Sequence, residues 1–200
     1  MYFEKEIFKD IDFTKSFIKK GSYENCTFEN CNFSDSNLSE IKFIETTFKS
    51  CNLSMAKLAH TVFKDVKFKD TKMLGLQFEK CNELLLSVSF LNCTLNHTSF
   101  FGVNLKNTIF ENSNLHEVDF TQADLSNSIF KNCDLASAVF EQTNIERADF
   151  QTSYNYIIDP ERNRITKAKF NIAGVSGLLA KYDIEIHRAS QKSFLVPIAL

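Results

Sequence analysis

A five-residue spacing of large apolar side chains constrains this chain more than any other feature of its sequence. The spacing matches neither the 3.6-residue period of a helix nor the two-residue alternation of a strand, so it marks an internal repeat. The positions that follow it without exception in the second half are Phe90, Leu95, Phe100, Leu105, Phe110, Leu115, Phe120, Leu125, Phe130, Leu135, Phe140, Ile145 and Phe150.

A second column of residues accompanies the first. Small or β-branched residues, such as Cys93 and Ala123, stand two positions before each large apolar residue, and Asp or Asn often stands directly before it. The repeat is therefore small–(Asp or Asn)–(Phe or Leu)–polar–polar. The regular spacing of the acidic and amide side chains predicts that they hydrogen-bond the backbone of turns, rather than form catalytic carboxylate pairs.

The same spacing runs through the first half of the chain in a different phase. Of the 21 Phe residues in the sequence, 17 occupy the repeat in its two halves. The phase shifts by two residues between Phe78 and Phe90, which places a two-residue insertion near 80–87. Two interpretations stay open for this insertion: a small bulged loop, or a hinge between two stacks. The column of small residues is weaker at Glu6, Ile11 and Gly21, so the first turn is expected to be irregular.

Side chains two residues apart point the same way only if the backbone between them is extended, so the remaining residues of each repeat must turn the chain. The strict alternation of Phe and Leu pairs like residues on alternate faces and predicts four faces, hence a coil of about twenty residues. Strands of neighbouring coils then lie about 4.7–4.9 Å apart, close enough for ladders of like side chains. Phe90 is expected to stack on Phe110, Phe130 and Phe150, and Leu95 on Leu115 and Leu135.

Composition excludes several classes of protein. The net charge of −2 disfavours a nucleic-acid binder that works through a basic surface. The sequence has no apolar run long enough to span a membrane and a charged N-terminus unlike a signal peptide, so a cytoplasmic protein is expected. The six Cys occupy the small-residue column, and the five-residue spacing of Cys26 and Cys31 does not fit a zinc site; buried free thiols are predicted.

No motif for catalysis or cofactor binding is present. The four His residues lack metal-site spacing, and the five Gly residues form neither a dinucleotide-binding nor a phosphate-binding loop. We therefore expect a protein that is not an enzyme, has no catalytic or metal-binding residues and needs no cofactor.

With this repeat, the chain resembles the pentapeptide-repeat proteins, whose motif is usually written A(D/N)LXX. The resemblance covers about residues 3–150 and implies an all-β solenoid, a right-handed quadrilateral β-helix of pentapeptide repeats with a short C-terminal α-helix. Residues 1–82 are expected to form a first stack, with an irregular N-terminal coil, and residues 83–150 a second stack after the register shift.

Beyond Phe150 the sequence leaves the repeat, and Asp159–Pro160 predicts a turn. Residues 151–187 resemble the C-terminal ends of the quinolone-resistance (Qnr-type) and microcin-immunity branch of that family, with a helix at about 171–182 that Asn171 caps, followed by a strand-like segment DIEIH. The resemblance implies that this segment caps the solenoid and pairs two subunits into a homodimer. The predicted dimer-interface residues are Ile172, Val175, Leu178, Leu179, Tyr182, Ile184 and Ile186. The tail 188–200 ends in FLVPIAL and is expected either to add to an interface or to be disordered.

The charge distribution suggests where a partner would bind. Residues 83–150 contain three basic and nine acidic side chains, a net charge of −6. An acidic stretch of this kind is either a solvated face or a binding surface. The predicted partner-binding acidic face consists of Glu111, Glu117, Asp119, Asp124, Asp134, Glu141, Glu146 and Asp149. The predicted partner-binding loop consists of Glu79, Lys80, Asn82 and Glu83.

The functional hypothesis joins this charge to the expected shape. Five extended residues per face make a rod roughly 20–25 Å across, which is close to the width of duplex DNA. The resemblance implies a DNA mimic that binds DNA gyrase or topoisomerase IV and protects it from quinolones or peptide toxins, with no direct contact to nucleic acid or membrane. The alternative is a structural or protein-interaction solenoid with another protein partner. The outward positions Ile109, Ile129 and Val139 are either a partner patch or ordinary exposed β-branched residues.

Overall fold

The computed structural model describes residues 1–187, and it confirms an all-β solenoid built from parallel strands with one short C-terminal helix. The tail 188–200 lies outside the described residues. The strands are β1 (Tyr2–Glu4), β2 (Ile7–Lys9), β3 (Ser22–Glu24), β4 (Thr27–Glu29), β5 (Lys42–Ile44), β6 (Thr47–Lys49), β7 (Val62–Lys64), β8 (Val66–Lys69), β9 (Val88–Leu91), β10 (Ile109–Glu111) and β11 (Ile129–Lys131), and the helix is α1 (Ser176–Leu179).

Four faces follow one another along each coil, and each face is a ladder of parallel pairs between successive coils. Face 1 is the four-stranded sheet β1-β3-β5-β7, continued after the insertion by the bridges between Asn104, Asp124, Asn144 and Arg164. Face 2 is the seven-stranded sheet β2-β4-β6-β8-β9-β10-β11. Face 3 contains the bridges from Asn32 to Asn52 and from Asn114 to Asp134, and face 4 contains those from Asn37 to Lys57 and from Ser99 to Asp119.

The large apolar side chains fill the interior as ladders of rings. Phe90 stacks on Phe110 at a centroid distance of 4.9 Å, Phe110 on Phe130 at 4.8 Å and Phe130 on Phe150 at 4.6 Å. Rings on opposite faces meet edge to face across the interior, as Phe120 of face 4 and Phe130 of face 2 do at 86°. Both geometries are favoured by the charge distribution of aromatic rings. The predicted stacking of every twentieth residue is confirmed for these positions.

The small residues satisfy backbone carbonyl groups inside the rod. Thr46 Oγ1 donates to the carbonyl of Tyr23 at 2.9 Å, and Thr143 Oγ1 donates to that of Phe120 at 2.9 Å. Cys133 Sγ makes the equivalent contact with the carbonyl of Phe110. A small side chain with a donor thus hydrogen-bonds the coil before it while leaving room for the adjacent ring.

The six cysteines are free and buried, as predicted. Burial raises the pKa of the Cys93 thiol to about 11 and that of the Cys133 thiol to about 12. Both thiols therefore stay protonated and unreactive at neutral pH. Among the described residues, no group of His, Cys, Asp and Glu is arranged to hold a metal ion. No helix in residues 1–187 is both long and apolar enough to cross a membrane.

The two-residue insertion is accommodated between face 4 and face 2. The chain forms two short 3₁₀ turns there: Phe78–Lys80 begins at the end of face 4, and Glu83–Leu85 lies where face 1 would have continued β7. On face 2, β8 pairs directly with β9 across the insertion, with Phe68 opposite Phe90. The ladder of face 2 is therefore continuous from β2 to β11.

The solenoid extends further than the sequence pattern predicts. Tyr154 still bridges to Asp134 and Lys169 to Asp149, and Phe170 stacks on Phe150 at 5.4 Å. The solenoid therefore continues for about one coil beyond Phe150, where the sequence pattern predicts its end. The backbone continues because Ala168 and Phe170 keep the small and large inward positions and pack against the core.

Candidate functional site

The eight acidic residues predicted to bind a partner do not share one face. Glu111 and Asp149 lie on face 2, Asp119 and Glu141 on face 4, and Asp124 and Glu146 on face 1. Asp134 lies on face 3, and Glu117 occupies the corner that follows that face. The predicted single acidic face is thus wrong as a geometric unit, because each coil of about twenty residues winds around the whole rod.

Basic side chains of neighbouring coils neutralise most of these carboxylates. The pairs with Lys or Arg are Lys131–Glu111 at 2.6 Å, Lys106–Asp124 at 3.3 Å, Arg162–Glu141 at 3.1 Å, Arg164–Glu146 at 2.9 Å and Lys169–Asp149 at 3.5 Å. His97 and His116 lie 3.2 Å and 2.8 Å from Glu117 and Asp134. Exposed pairs of this kind add little stability, but they reduce the local field that a cationic partner would meet.

Several of the acidic side chains also hold the turns, as the spacing predicts. Oδ1 of Asp119 accepts the backbone N–H of Thr121 at 2.8 Å, and Oδ1 of Asp124 accepts that of Ser126 at 3.0 Å. Burial by itself would raise the pKa of Asp124, but hydrogen bonds from Ser126, Lys106 and Asn144 outweigh it and hold this pKa below its usual value. The main role of these carboxylates is therefore to stabilise the turns by accepting hydrogen bonds.

The predicted loop lies at the insertion between face 4 and face 2. Glu79 and Asn82 are half-buried, and Glu79 Oε2 and Asn82 Oδ1 are buried acceptors without a hydrogen-bond donor. Lys80 and Glu83 are exposed. Leu84, which is not among the predicted loop residues, is 93% exposed at the tip of the second 3₁₀ turn. The sequence feature that points to Leu84 is the run of three leucines in NELLLS, which falls out of register with the repeat.

The C-terminal segment closes the end of the core. The predicted helix at 171–182 consists of a 3₁₀ turn (Ile172–Gly174), α1 and a second 3₁₀ turn (Ala180–Tyr182). The predicted cap is present, since Asn171 Oδ1 accepts the N–H of Gly174 at 2.8 Å. The segment DIEIH forms no strand, because no neighbouring strand among the described residues pairs with it.

Tyr156 lies beneath this cap and fixes its position. It is buried between Phe150 and Phe170, with ring centroids at 5.9 Å and 5.6 Å. Two glycines make the close approach possible: a Cβ at Gly174 would lie 1.9 Å from Tyr156 Oη, and a Cβ at Gly177 would lie 2.0 Å from its carbonyl oxygen. Ile158 N–H also donates to the carbonyl of Gly177 at 3.1 Å.

The predicted dimer-interface residues divide into two groups. Ile172 is 94% exposed, and Val175, Tyr182, Ile184 and Ile186 are also exposed. Leu178, in contrast, packs against the core of its own chain, and Leu179 is half-buried. The cap therefore presents apolar side chains to solvent, with Ile172 as the most accessible.

Comparison with known proteins agrees with this architecture. A family model described as a pentapeptide repeat region matches residues 22–100 and 76–150. No curated protein matches the sequence. A trypsin-treated variant of QnrB1, a plasmid-mediated fluoroquinolone resistance protein, superposes with a TM-score of 0.63 and 19% identity, covering 94% of this chain and 100% of that one. A second trypsin-treated QnrB1 variant gives a TM-score of 0.64 and 18% identity, with 94% and 92% covered. These likenesses concern the fold.

Proposed function

Because the chain belongs to the pentapeptide-repeat family, we propose that it is a protein-binding rod that occupies the DNA-binding surface of a type II topoisomerase, DNA gyrase or topoisomerase IV. In this role it protects the enzyme from quinolones or peptide toxins. The observation that carries the proposal is the uniform four-faced rod, roughly 20–25 Å across by the length of its extended segments, whose fold matches QnrB1 over 94% of this chain. QnrB1 is a fluoroquinolone resistance protein.

The surface charge supports this proposal less strongly than the shape of the rod does. The net charge of −6 in residues 83–150 is distributed around the rod rather than along one side. Asp119 is the member of the predicted acidic set for which the described residues provide no ion pair within 4.0 Å. A rod with this pattern resembles DNA more in its diameter than in its charge. Binding to the topoisomerase would therefore depend on shape together with a diffuse negative potential.

We expect the protein to restore DNA supercoiling by gyrase in the presence of a quinolone. The measurement is a gyrase supercoiling assay with and without the protein, combined with direct binding of the two proteins. Asp119→Asn keeps the side-chain oxygen that accepts the Thr121 N–H at 2.8 Å but removes a charge, so it should weaken protection while leaving the fold intact. Neither rescue nor binding by the unmodified protein would contradict the proposal.

The distribution of paired carboxylates favours the second candidate function, a solenoid that binds a different protein. Acidic side chains that mainly stabilise turns and pair with basic residues of neighbouring coils contribute little to a DNA-like electrostatic potential. Recovery of one stoichiometric partner that is not a topoisomerase, with no effect on gyrase, would favour this candidate. Direct binding of nucleic acid would appear in a mobility-shift assay at low salt, and we expect none.

We also propose that the cap joins two subunits into a homodimer. The exposed side chains of Tyr154 and Ile157 line a groove of about 520 Å³ together with Ala173 and Ala180 of the cap. Burial of such a surface is the usual driving force for association.

Ile172→Arg is expected to produce monomers, because it introduces a charge at the most exposed apolar position of the cap. Sedimentation measures the change, and the far-ultraviolet circular dichroism of the β-solenoid should be retained. Phe17→Arg is the matched control, since Phe17 is 93% exposed in the first coil, away from the cap. If Phe17→Arg caused dissociation and Ile172→Arg did not, the dimer interface would lie at the N-terminal end of the rod and not at the cap.

A further inference from the structure

Face 2 carries a surface in which two lysines adjoin a row of aliphatic side chains. We call it the basic–apolar surface and define it by Lys67, Lys69, Leu91, Ile109 and Ile129. The strand register places Lys69 beside Leu91, and it aligns Ser89, Ile109 and Ile129 in one row above Lys67. With neighbouring coils about 4.8 Å apart, the row from Lys67 to Ile129 spans about 14 Å.

Lys67 and Lys69 lack the acidic partner that several other basic side chains of this rod have. Lys20, for example, meets Glu40 one coil away at 2.6 Å, and Lys49 meets Glu29 at 2.8 Å. The coil neighbours of Lys67 and Lys69 carry no carboxylate. They are Thr47 and Ser89 for Lys67, and Lys49 and Leu91 for Lys69.

The acidic residues that lie close to these lysines in sequence or in strand register already have other partners. Asp65 accepts a hydrogen bond from Ser87 Oγ at 2.9 Å, Asp70 accepts one from Asn92 Nδ2 at 2.9 Å, and Glu111 pairs with Lys131 at 2.6 Å. Within residues 1–187, neither Lys67 nor Lys69 has a carboxylate within 4.0 Å of its ammonium group. Two cations thus face outward on one flat strand, about 6.6 Å apart at their Cα atoms.

The apolar half of the surface is accessible. Ile109 is 43% exposed and Ile129 is 42% exposed, one directly above the other. A shallow depression of about 150 Å³ joins the two halves and is lined by Lys67, Lys69, Leu91 and Ile109 among others. Flat sheet faces of this kind have no backbone groups left to pair, so a partner must recognise the side chains.

We propose that the basic–apolar surface docks a partner protein that presents carboxylates next to apolar side chains. The unpaired lysines complement the carboxylates, and the isoleucines exclude water around the contact. The aliphatic half disfavours a phosphate backbone as ligand, and the cations are lysines without the arginines that nucleic-acid sites favour. This surface is separate from the acidic residues invoked for topoisomerase binding, and it does not depend on that function.

A labelled helical peptide of about 14 residues tests the proposal, since about 10 helical residues span the row. The peptide carries Glu in its first two turns and Leu along one face of the remainder. Binding is measured by fluorescence anisotropy at low and high salt, with three comparison probes: the same composition in scrambled order, polyglutamate of equal length, and single-stranded DNA. The patterned peptide is expected to bind most tightly.

Paired substitutions separate the two halves of the surface. Lys67→Gln with Lys69→Gln should weaken binding about fivefold to tenfold and reduce its salt dependence. Ile109→Thr with Ile129→Thr keeps the β-branched shape and should weaken binding about threefold to tenfold with the salt dependence unchanged. The matched controls are Lys57→Gln and Val139→Thr on face 4, which should have no effect.

Three results would overturn the proposal. The patterned peptide would bind no better than the scrambled peptide, the face-4 variants would lose as much affinity as the face-2 variants, or the DNA would bind more tightly than the peptide. The first and second would mean that face 2 is not the docking surface. The third would mean that the lysines recognise any polyanion.

Discussion

Phe120→Ala is expected to lower the free energy of unfolding by about 3–5 kcal/mol, through loss of buried apolar area and the cavity that remains. Phe120 is 0% exposed and stacks on Phe100 at 5.5 Å and on Phe140 at 5.2 Å. It also meets Phe110 and Phe130 edge to face at 6.0 Å and 5.9 Å. Its neighbours are held by their own coils, so they cannot move in to fill the gap.

Urea unfolding followed by far-ultraviolet circular dichroism measures this change. Solenoids can unfold in parts, because each coil contacts only its neighbours, so the midpoint and the slope must both be compared with those of the unmodified protein. Val139→Ala is the control, since Val139 is 47% exposed on face 4 and its truncation leaves no cavity. If the cost for Phe120→Ala fell below about 1 kcal/mol, this ring would not be part of a packed ladder.

The interior of the fold follows directly from the sequence. A large apolar residue at every fifth position, with a small one two residues earlier, fits an extended segment that points both inward. The corners follow from the same repeat, because polar residues such as Asn112 and Asn132 take positive φ there. Asn at such positions tolerates the left-handed conformation and also forms a ladder, as Asn132 Nδ2 donates to Asn112 Oδ1 at 3.0 Å.

The surface could not be read from the sequence in the same way. Residues that are close in the chain, such as Glu111, Asp119 and Asp124, lie on three different faces, while residues about twenty apart lie side by side. The side chains of an acidic stretch of sequence are therefore distributed around the rod and do not lie along one side of it. The number of charges along the chain also does not show the cross-coil pairs, because each partner lies about one coil away in sequence. For the same reason it does not show that the neighbours of Lys67 and Lys69 one coil away carry no carboxylate.

The packing of the C-terminal cap against the last coil is a second feature that the sequence does not predict. The sequence predicts helical turns near Asn171, but it gives no distance between those turns and the last coil. Gly174 and Gly177 have φ angles that any residue can adopt, so their purpose is not backbone freedom. They are required by the close approach of Tyr156, which lies in the coil that the sequence pattern did not recognise.

Gly177→Ala is accordingly expected to detach the cap and destabilise the C-terminal end by about 1–3 kcal/mol, the usual cost of overpacking. The added Cβ would lie 2.0 Å from the carbonyl oxygen of Tyr156, which is backbone and cannot rotate away. Moving α1 outward also breaks the hydrogen bond from Ile158 N–H to the Gly177 carbonyl, 3.1 Å long. Hydrogen exchange measured by mass spectrometry should accelerate in residues 150–182 and remain unchanged in residues 22–130.

Gly102→Ala separates this steric effect from a general effect of replacing glycine. A Cβ at Gly102 meets no atom within 4 Å, but its φ of +67° strains any other residue. This control should cost stability near its own turn and leave exchange at the C-terminus as it was. If Gly177→Ala left exchange in residues 150–182 unchanged, the cap would not depend on the Tyr156 contact. If exchange accelerates there while the dimer dissociates, the cap both closes the core and presents the apolar surface proposed to join two subunits.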